Sequence, residues 1–302
     1  MLWLLVIILS YLILAIVFLL DKYFLIGPIP SPKVYAFYIG ILGILILFFI
    51  PFVDFYIPEI PQIILSLLTG ALFVYVLFLF YKSLRVFEVS RIVPAIGGLL
   101  PLFTFGLVYI FSFGKETLSF SDSIAFGLLI LGSVLITLEK GKFINRKSFQ
   151  NSAIIAFMFA LFSVLAKYVY LQQSFWSGFI WIRIGGFLMA LGFLLFSSEV
   201  KKEIFKSKKM LPKRTGLFLF NQGIGAVATI GQHWAIALAP LVYLSIISAL
   251  AGIQYVFLLI FSVLISLKFP QILKEEISRK ILIQKLFAVS LIGVGLAILA
   301  FK

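Results

Sequence analysis

Two basic residues stand inside long apolar stretches of this chain, where they could bind an anion. Lys167 and Arg183 lie within hydrophobic segments, and a charge costs roughly 2.5 to 3.5 kcal/mol at the centre of a membrane-spanning helix. Either cation could hold a carboxylate or a phosphate, and Arg183 is favoured because its planar guanidinium donates two parallel hydrogen bonds. The alternative is that both side chains extend to nearby lipid headgroups.

A set of uncharged polar residues shares one face of a later apolar segment. Asn221, Gln222, Thr229 and Gln232 recur with Gly225 at spacings of three and four residues, which places them on one side of a helix. Their amides and hydroxyl could bind a zwitterionic or sugar-like solute. They could equally form hydrogen bonds between helices, which contribute about 0.6 kcal/mol each on average. The neighbouring His233 is expected to be a structural or vestibule residue.

Four further residues are candidate contacts for a small molecule. They lie in segments expected to line a central cavity, where an aromatic wall with a few polar groups is the usual form of a binding site. For each of them, packing or anchoring at the membrane interface is the competing interpretation. The four are Tyr75, Trp181, Tyr243 and Gln254.

The remaining titratable residues argue against catalysis. All 11 acidic residues lie at the ends of apolar segments or between them, cysteine is absent, and His233 is the single histidine. General acid-base chemistry and metal binding need several such groups close together. We therefore expect no enzyme, no metal and no cofactor. Export of lipophilic cations driven by a carboxylate in the middle of the membrane is also disfavoured.

The composition is that of an integral membrane protein. The 302 residues are 63% hydrophobic and 12% charged, with a mean hydropathy of +1.20, too apolar for a surface exposed to water. The net charge of +14 does not indicate nucleic-acid binding, because basic residues beside helix ends already have anionic lipid headgroups as partners.

Ten apolar segments are long enough to cross a bilayer, given a rise of about 1.5 Å per residue and a core of about 30 Å. Of the 25 Lys and Arg residues, 21 fall in or beside connections one, three, five, seven and nine. Cytoplasmic loops retain such residues, so the pattern predicts cytoplasmic odd-numbered connections and both termini outside. The predicted spans are Leu2–Leu20, Val34–Pro51, Gln62–Tyr81, Ile92–Ser112, Ser121–Leu138, Ser152–Leu171, Phe175–Phe196, Thr215–Ile236, Val242–Leu267 and Leu282–Phe301.

The ten spans divide into two halves of five, residues 1–145 and 146–302. A shift of 145 residues places Lys22 and Tyr23 on Lys167 and Tyr168, and a shift of 153 places spans three and four on eight and nine. An odd number of spans in each half means that the second half enters the membrane from the opposite side. Accordingly, connection two carries no basic residue, whereas its counterpart, connection seven, carries seven. The predicted fold is all-α, with two inverted five-helix repeats.

Both halves contain short motifs at comparable positions. The motifs are Tyr81-Lys82-Ser83-Leu84, Pro101-Leu102-Phe103, Phe113 to Ser119, Gly127 to Gly132, Trp234 to Pro240 and Leu291 to Gly295. They resemble the EamA repeat of the drug/metabolite transporter superfamily. The second half lacks the equivalent of the motif that ends in Glu116-Thr117-Leu118-Ser119, and a basic segment replaces it. The family's small multidrug members carry a Glu embedded in the first helix, and we find no equivalent residue.

The resemblance implies a secondary transporter or exporter of small metabolites, such as amino-acid-like or other small polar or anionic solutes. The expected partners are that solute and the lipid bilayer of the inner (cell) membrane, with the protein as a monomer or homodimer and no nucleic acid. Two alternatives remain open. A membrane enzyme acting on a lipid-linked substrate would show polar loop residues at a lateral opening, and a non-transporting scaffold would have a packed interior without a cavity.

Overall fold

The protein is all-helical. The computed structural model describes residues 2–26, 31–87, 89–137, 146–206, 212–268 and 279–301, and these residues form no β-strand. The helices are α1 Leu2–Ile26, α2 Pro32–Gly43 with a 3-10 continuation Ile44–Phe52, α3 Ile60–Val86, α4 Val89–Phe111, α5 Phe120–Thr137, α6 Arg146–Gln172, α7 Phe175–Phe196, α8 Ser198–Lys206, α9 Pro212–Leu238, a 3-10 turn Leu241–Tyr243, α10 Leu244–Ala249, α11 Ala251–Lys268 and α12 Arg279–Ala300.

Nine segments of the described chain are long and apolar enough to cross a membrane, which supports a multi-pass membrane protein. The long helix α9 is not among the nine, and it carries the polar set that begins at Asn221. Large apolar side chains are exposed on the outside, including Phe48 at 76%, Phe120 at 84% and Phe196 at 90%. Exposed apolar area on this scale needs lipid to cover it.

The first helix is longer than the sequence pattern indicates. We predicted that span one ends at Leu20, whereas α1 continues to Ile26. Asp21 therefore lies inside a helix rather than at the end of one. The extension is explained by hydrogen bonds to the Asp21 carboxylate from α2, α3 and α9, because these contacts offset the cost of burying the acid.

Span nine is broken into α10 and α11 around Leu250. The Tyr11 hydroxyl in α1 donates a hydrogen bond to the Ile247 carbonyl at 2.9 Å. The Ser133 hydroxyl in α5 lies 3.3 Å from the Ala249 carbonyl. Carbonyls that bind side chains of other helices need no partner in their own helix, so these contacts stabilise the break.

Glycines allow α2, α3 and α7 to pack backbone against backbone. A methyl group added at Gly40 would lie 2.7 Å from the Ala190 Cβ, and one added at Gly185 would overlap the Leu67 carbonyl. The same device joins α5 to α12, where a methyl group on Gly295 would lie 3.2 Å from the Ala125 carbonyl oxygen. Small residues at such contacts are the usual basis of close helix packing in lipid.

Candidate functional site

A cavity of about 150 Å³ lies inside the helical bundle. Residues of α1, α3, α4, α6, α9 and α10 line it, and most of the wall is Ile, Leu and Phe. A cavity of this size admits several water molecules or one small organic molecule. Its polar lining residues are Tyr11, Ser163, Thr229, Gln232, His233 and Ser248.

The polar groups of the wall are fixed by bonds to the surrounding helices. The Thr229 hydroxyl donates to the Gly225 carbonyl at 2.7 Å, and the Ser248 hydroxyl lies 3.1 Å from that of Thr104. His233 is 2% exposed, and its Nδ1 lies 2.6 Å from the Tyr170 hydroxyl. No charged side chain of the described residues lines the cavity, so the wall suits a neutral or zwitterionic solute better than a strongly charged one.

Arg183 lies immediately behind this wall. Its guanidinium carbon is 5.5 Å from the ring centre of Phe73, which lines the cavity, and 4.8 Å from that of Phe179. Both distances are within the range of cation-π contacts. In the described part of the chain the guanidinium has no hydrogen-bond acceptor and no acidic partner. An arginine with all its donors unused, one ring away from a cavity, is positioned to attract an anionic group.

Lys167 has a different environment from Arg183. Its ammonium group donates to the Ala237 carbonyl at 2.9 Å and to the Ala239 carbonyl at 2.6 Å. These carbonyls lie at the C-terminal end of α9, which carries a partial negative charge. Lys167 therefore connects α6 to the end of α9 and does not line the cavity.

A second polar group surrounds Asp21 and is named here the Asp21 cluster: Asp21, Tyr35, Tyr81, Asn221 and Gln222. Tyr35 donates a short hydrogen bond to the Asp21 Oδ1, and the Tyr81 hydroxyl lies 3.3 Å from the Oδ2. The Asn221 amide donates to Oδ1 at 2.7 Å. Gln222 donates to the Tyr35 hydroxyl at 3.4 Å. The cluster thus joins α1, α2, α3 and α9.

The ten candidate residues from the sequence do not form one site. Thr229 and Gln232 line the cavity, Arg183 lies behind it, and Asn221 and Gln222 belong to the Asp21 cluster. Sequence patterns alone could not separate these groups, because all the residues of α9 among them share one helical face.

The other aromatic and amide candidates lie outside the cavity wall. Trp181 stacks on Phe55 at 6.4 Å, and its buried indole nitrogen has no acceptor in the described residues. Tyr243 donates to Asp122 at 3.5 Å and stacks on Trp3. Gln254 donates to the Leu14 carbonyl at 3.4 Å, and Tyr75 is 37% exposed beside Phe78.

Sequence reasoning did not select four residues that the structure makes prominent. Tyr11, Ser163 and Ser248 line the cavity, and Asp21 organises its own cluster. Ser245 and Ser248 repeat at three-residue spacing, which is a weak signal for a polar helix face. Tyr11 and Ser163 are isolated in apolar stretches, and no local pattern marks them.

The chemistry that the cavity offers is that of uncharged hydrogen-bonding groups. The described residues contain no group of three or more His, Cys, Asp or Glu side chains that could hold a metal ion. The polar wall consists of hydroxyls, one amide and one imidazole. These groups recognise a small molecule through hydrogen bonds.

Comparison with known proteins establishes the fold and nothing finer. No protein-family model matches the chain. No curated protein matches its sequence significantly. A solved structure described only as a crystal structure of a protein aligns over 98% of this chain and 97% of that one, with a TM-score of 0.69 and 15% identity. At that identity the likeness extends to the arrangement of the helices alone.

Proposed function

We propose that this protein is a secondary transporter of small polar solutes, built from two inverted five-helix repeats of the EamA type in the inner (cell) membrane. The single observation that carries the proposal is the position of the cavity. The helices that line the cavity form three pairs, and the two members of each pair occupy equivalent positions in the two proposed repeats. The pairs are α1 with α6, α3 with α9, and α4 with α10. A cavity bounded by matching helices of both halves is the usual site of substrate binding in inverted-repeat transporters.

Several of the helix contacts follow the same exchange of halves. The packing of α1 on α9 is matched by that of α6 on α3, and the packing of α1 on α11 by that of α6 on α4. The contacts α2 with α7 and α5 with α12 pair each helix with its own counterpart. This arrangement supports the ten-span, two-repeat topology, with α9 as the eighth span.

The broken span beside the cavity also supports transport. Ile247 and Ser248 line the cavity just before the break between α10 and α11. Discontinuous helices at the centre of transporters expose backbone groups to the substrate and permit movement. A non-transporting scaffold, by contrast, would have a filled interior.

The proposed solute is small, with an amino-acid-like or similar polar group and room for an anionic end near Arg183. The Thr229 hydroxyl and the Gln232 amide would bind the polar part of the solute. The Arg183 guanidinium lies behind the Phe73 ring. An anionic group of the solute would therefore reach it after the Phe73 side chain rotates. The apolar remainder of the wall would bind a short hydrophobic side chain.

A ligand screen on a cavity-filling variant tests the proposal. Purified protein is screened against a panel of metabolites, and a solute that binds only the folded state raises the melting temperature. Ser163→Phe, which fills the cavity, is expected to abolish the shift caused by any positive compound. Ser123→Phe, at an exposed serine of α5, is the matched control and should retain it. A compound whose shift survives Ser163→Phe would contradict binding in the cavity.

A further inference from the structure

The Asp21 carboxylate is held by neutral donors, and the side chains that the structure describes give it no counter-charge. Its partners are two phenol hydroxyls and one amide, from Tyr35, Tyr81 and Asn221. Among the side chains that the structure describes, none forms an ion pair with it. A carboxylate held this way in an apolar bundle is costly, and such residues are usually retained because they bind protons or ions.

The surroundings of the cluster are apolar and aromatic. Tyr35 packs edge-to-face against Tyr81 at 5.1 Å and against Phe218 at 5.9 Å. Phe218 in turn contacts Phe24, which is fully buried, at 5.3 Å. Asp21 itself is half-buried, and its carboxylate lies beside these rings through its bonds to Tyr35 and Tyr81.

Asn221 has a second polar atom that is not used. Its side chain is fully buried, its Nδ2 donates to Asp21, and its Oδ1 has no hydrogen-bond partner within the described residues. A buried acceptor without a donor costs about 1 to 3 kcal/mol. If the amide rotates by half a turn, this oxygen faces Asp21, where it can accept a hydrogen bond from a protonated carboxyl group.

We infer that Asp21 is a proton-binding site, in which Asn221 presents its NH2 group to the carboxylate and its oxygen to the carboxylic acid. The proton comes from water and is carried on one carboxyl oxygen. That oxygen is Oδ1, which then donates to the Asn221 Oδ1 and accepts less well from Tyr35. Because Asp21 is in α1 and Asn221 in α9, protonation changes a bond between the two proposed halves.

Titratable groups approach the site from several helices. Those in contact with Asp21 are Tyr35 of α2 and Tyr81 of α3, while α9 contributes the amides of Asn221 and Gln222. Lys33 of α2 and Lys82 of α3 are directed to the Phe78 ring, with their ammonium groups 5.4 and 5.9 Å from its centre. Glu203 of α8 interacts with Tyr38 of α2.

The inference adds a coupling ion to the proposed transport function, because a proton bound between the two halves can drive the movement of a solute. The test itself needs no solute. Infrared difference spectra of the purified protein are recorded between alkaline and acid buffers. The wild type is expected to gain a band from the carbonyl of a buried carboxylic acid that Asp21→Asn lacks. Asp122→Asn, at the other buried acid with 3% exposure, is the matched control and should keep the band.

Two further measurements make the result decisive. Tyr35→Phe removes a donor that favours the charged carboxylate, so the midpoint of the band should move to higher pH by about one unit. An unchanged midpoint, or an unchanged band in Asp21→Asn, would overturn the inference.

Spectra with and without sodium should coincide, and a band that appears only when sodium is removed would mean that the site binds a metal cation instead. A protein that binds no metabolite could still pass this test, which separates it from the ligand screen.

Discussion

At the residue level, one face of α9 carries two separate polar groups. Thr229 and Gln232 line the cavity, whereas Asn221 and Gln222, two to three turns earlier, belong to the Asp21 cluster. The sequence predicted the shared face correctly, since both groups point towards α1. It could not divide the face, because the division depends on what α1 presents at each level: Tyr11 near the cavity and Asp21 near the cluster.

Substitutions of Arg183 test whether the proposed solute carries an anionic group. We predict that Arg183→Gln abolishes the binding of anionic solutes and leaves the binding of neutral solutes unchanged, because the wall itself carries no charge. Arg183→Lys keeps the charge but loses the two-pronged hydrogen bond, so it should retain part of the affinity. Melting-temperature shifts with matched acidic and amidated ligands measure this. Equal loss for both ligand types would indicate a structural role for Arg183.

Lys167 is predicted to be structural. In Lys167→Met the carbonyls of Ala237 and Ala239 lose their donor, which should destabilise the protein by about 1 to 3 kcal/mol. The shift caused by a cavity ligand should persist. Lys115→Met, at an exposed lysine, is the control and should leave the melting temperature unchanged. Loss of ligand binding without loss of stability would instead make Lys167 a substrate contact.

At the level of the helices, composition predicts the long apolar helices but not the short helices α8 and α10, and tertiary contacts set the helix ends. The bounds of span seven, Phe175–Phe196, agree with the structure, because Ser174 and Ser197 flank a run that is apolar apart from Ser177 and Arg183. The end of α1 and the break at Leu250 could not be predicted. Both depend on hydrogen bonds from residues more than 100 positions away, Asn221 to Asp21 and Tyr11 to Ile247.

The close contact between α3 and α7 gives a prediction at this scale. In Gly185→Ala the added methyl group would overlap the Leu67 carbonyl, so the two helices must separate, at a cost of about 1 to 3 kcal/mol. In Gly192→Ala, in the same helix, the methyl group would meet nothing within 4 Å. Thermal unfolding in detergent should show a lower melting temperature for the first variant only. Equal stability of the two variants would contradict the backbone contact.

At the scale of the whole molecule, contacts between connections group the two ends of the bundle. Hydrogen bonds from Ser174 and Ser177 to the carbonyls of Asp54 and Tyr56 join connection six to connection two. At the other end, the Asp21 cluster brings together the ends of helices next to connections one, three and seven. The sequence places the basic residues beside this second group of connections. The contacts between helix ends and the positions of the basic residues therefore assign the same connections to the same end of the bundle. The two observations are independent of each other.

The orientation in the membrane follows from the charge pattern and can be measured directly, because the chain contains no cysteine. We predict that a membrane-impermeant maleimide labels Lys115→Cys, in connection four, on intact cells. Lys201→Cys, in α8 after span seven, should be labelled only after the cells are opened, since connection seven carries seven basic residues and such loops stay in the cytoplasm. The cysteine-free parent protein should remain unlabelled in both conditions. The reverse pattern would place both termini inside, as described for many members of the family that the sequence resembles, and would turn the Asp21 cluster to the outer face, so that its proton would come from outside the cell.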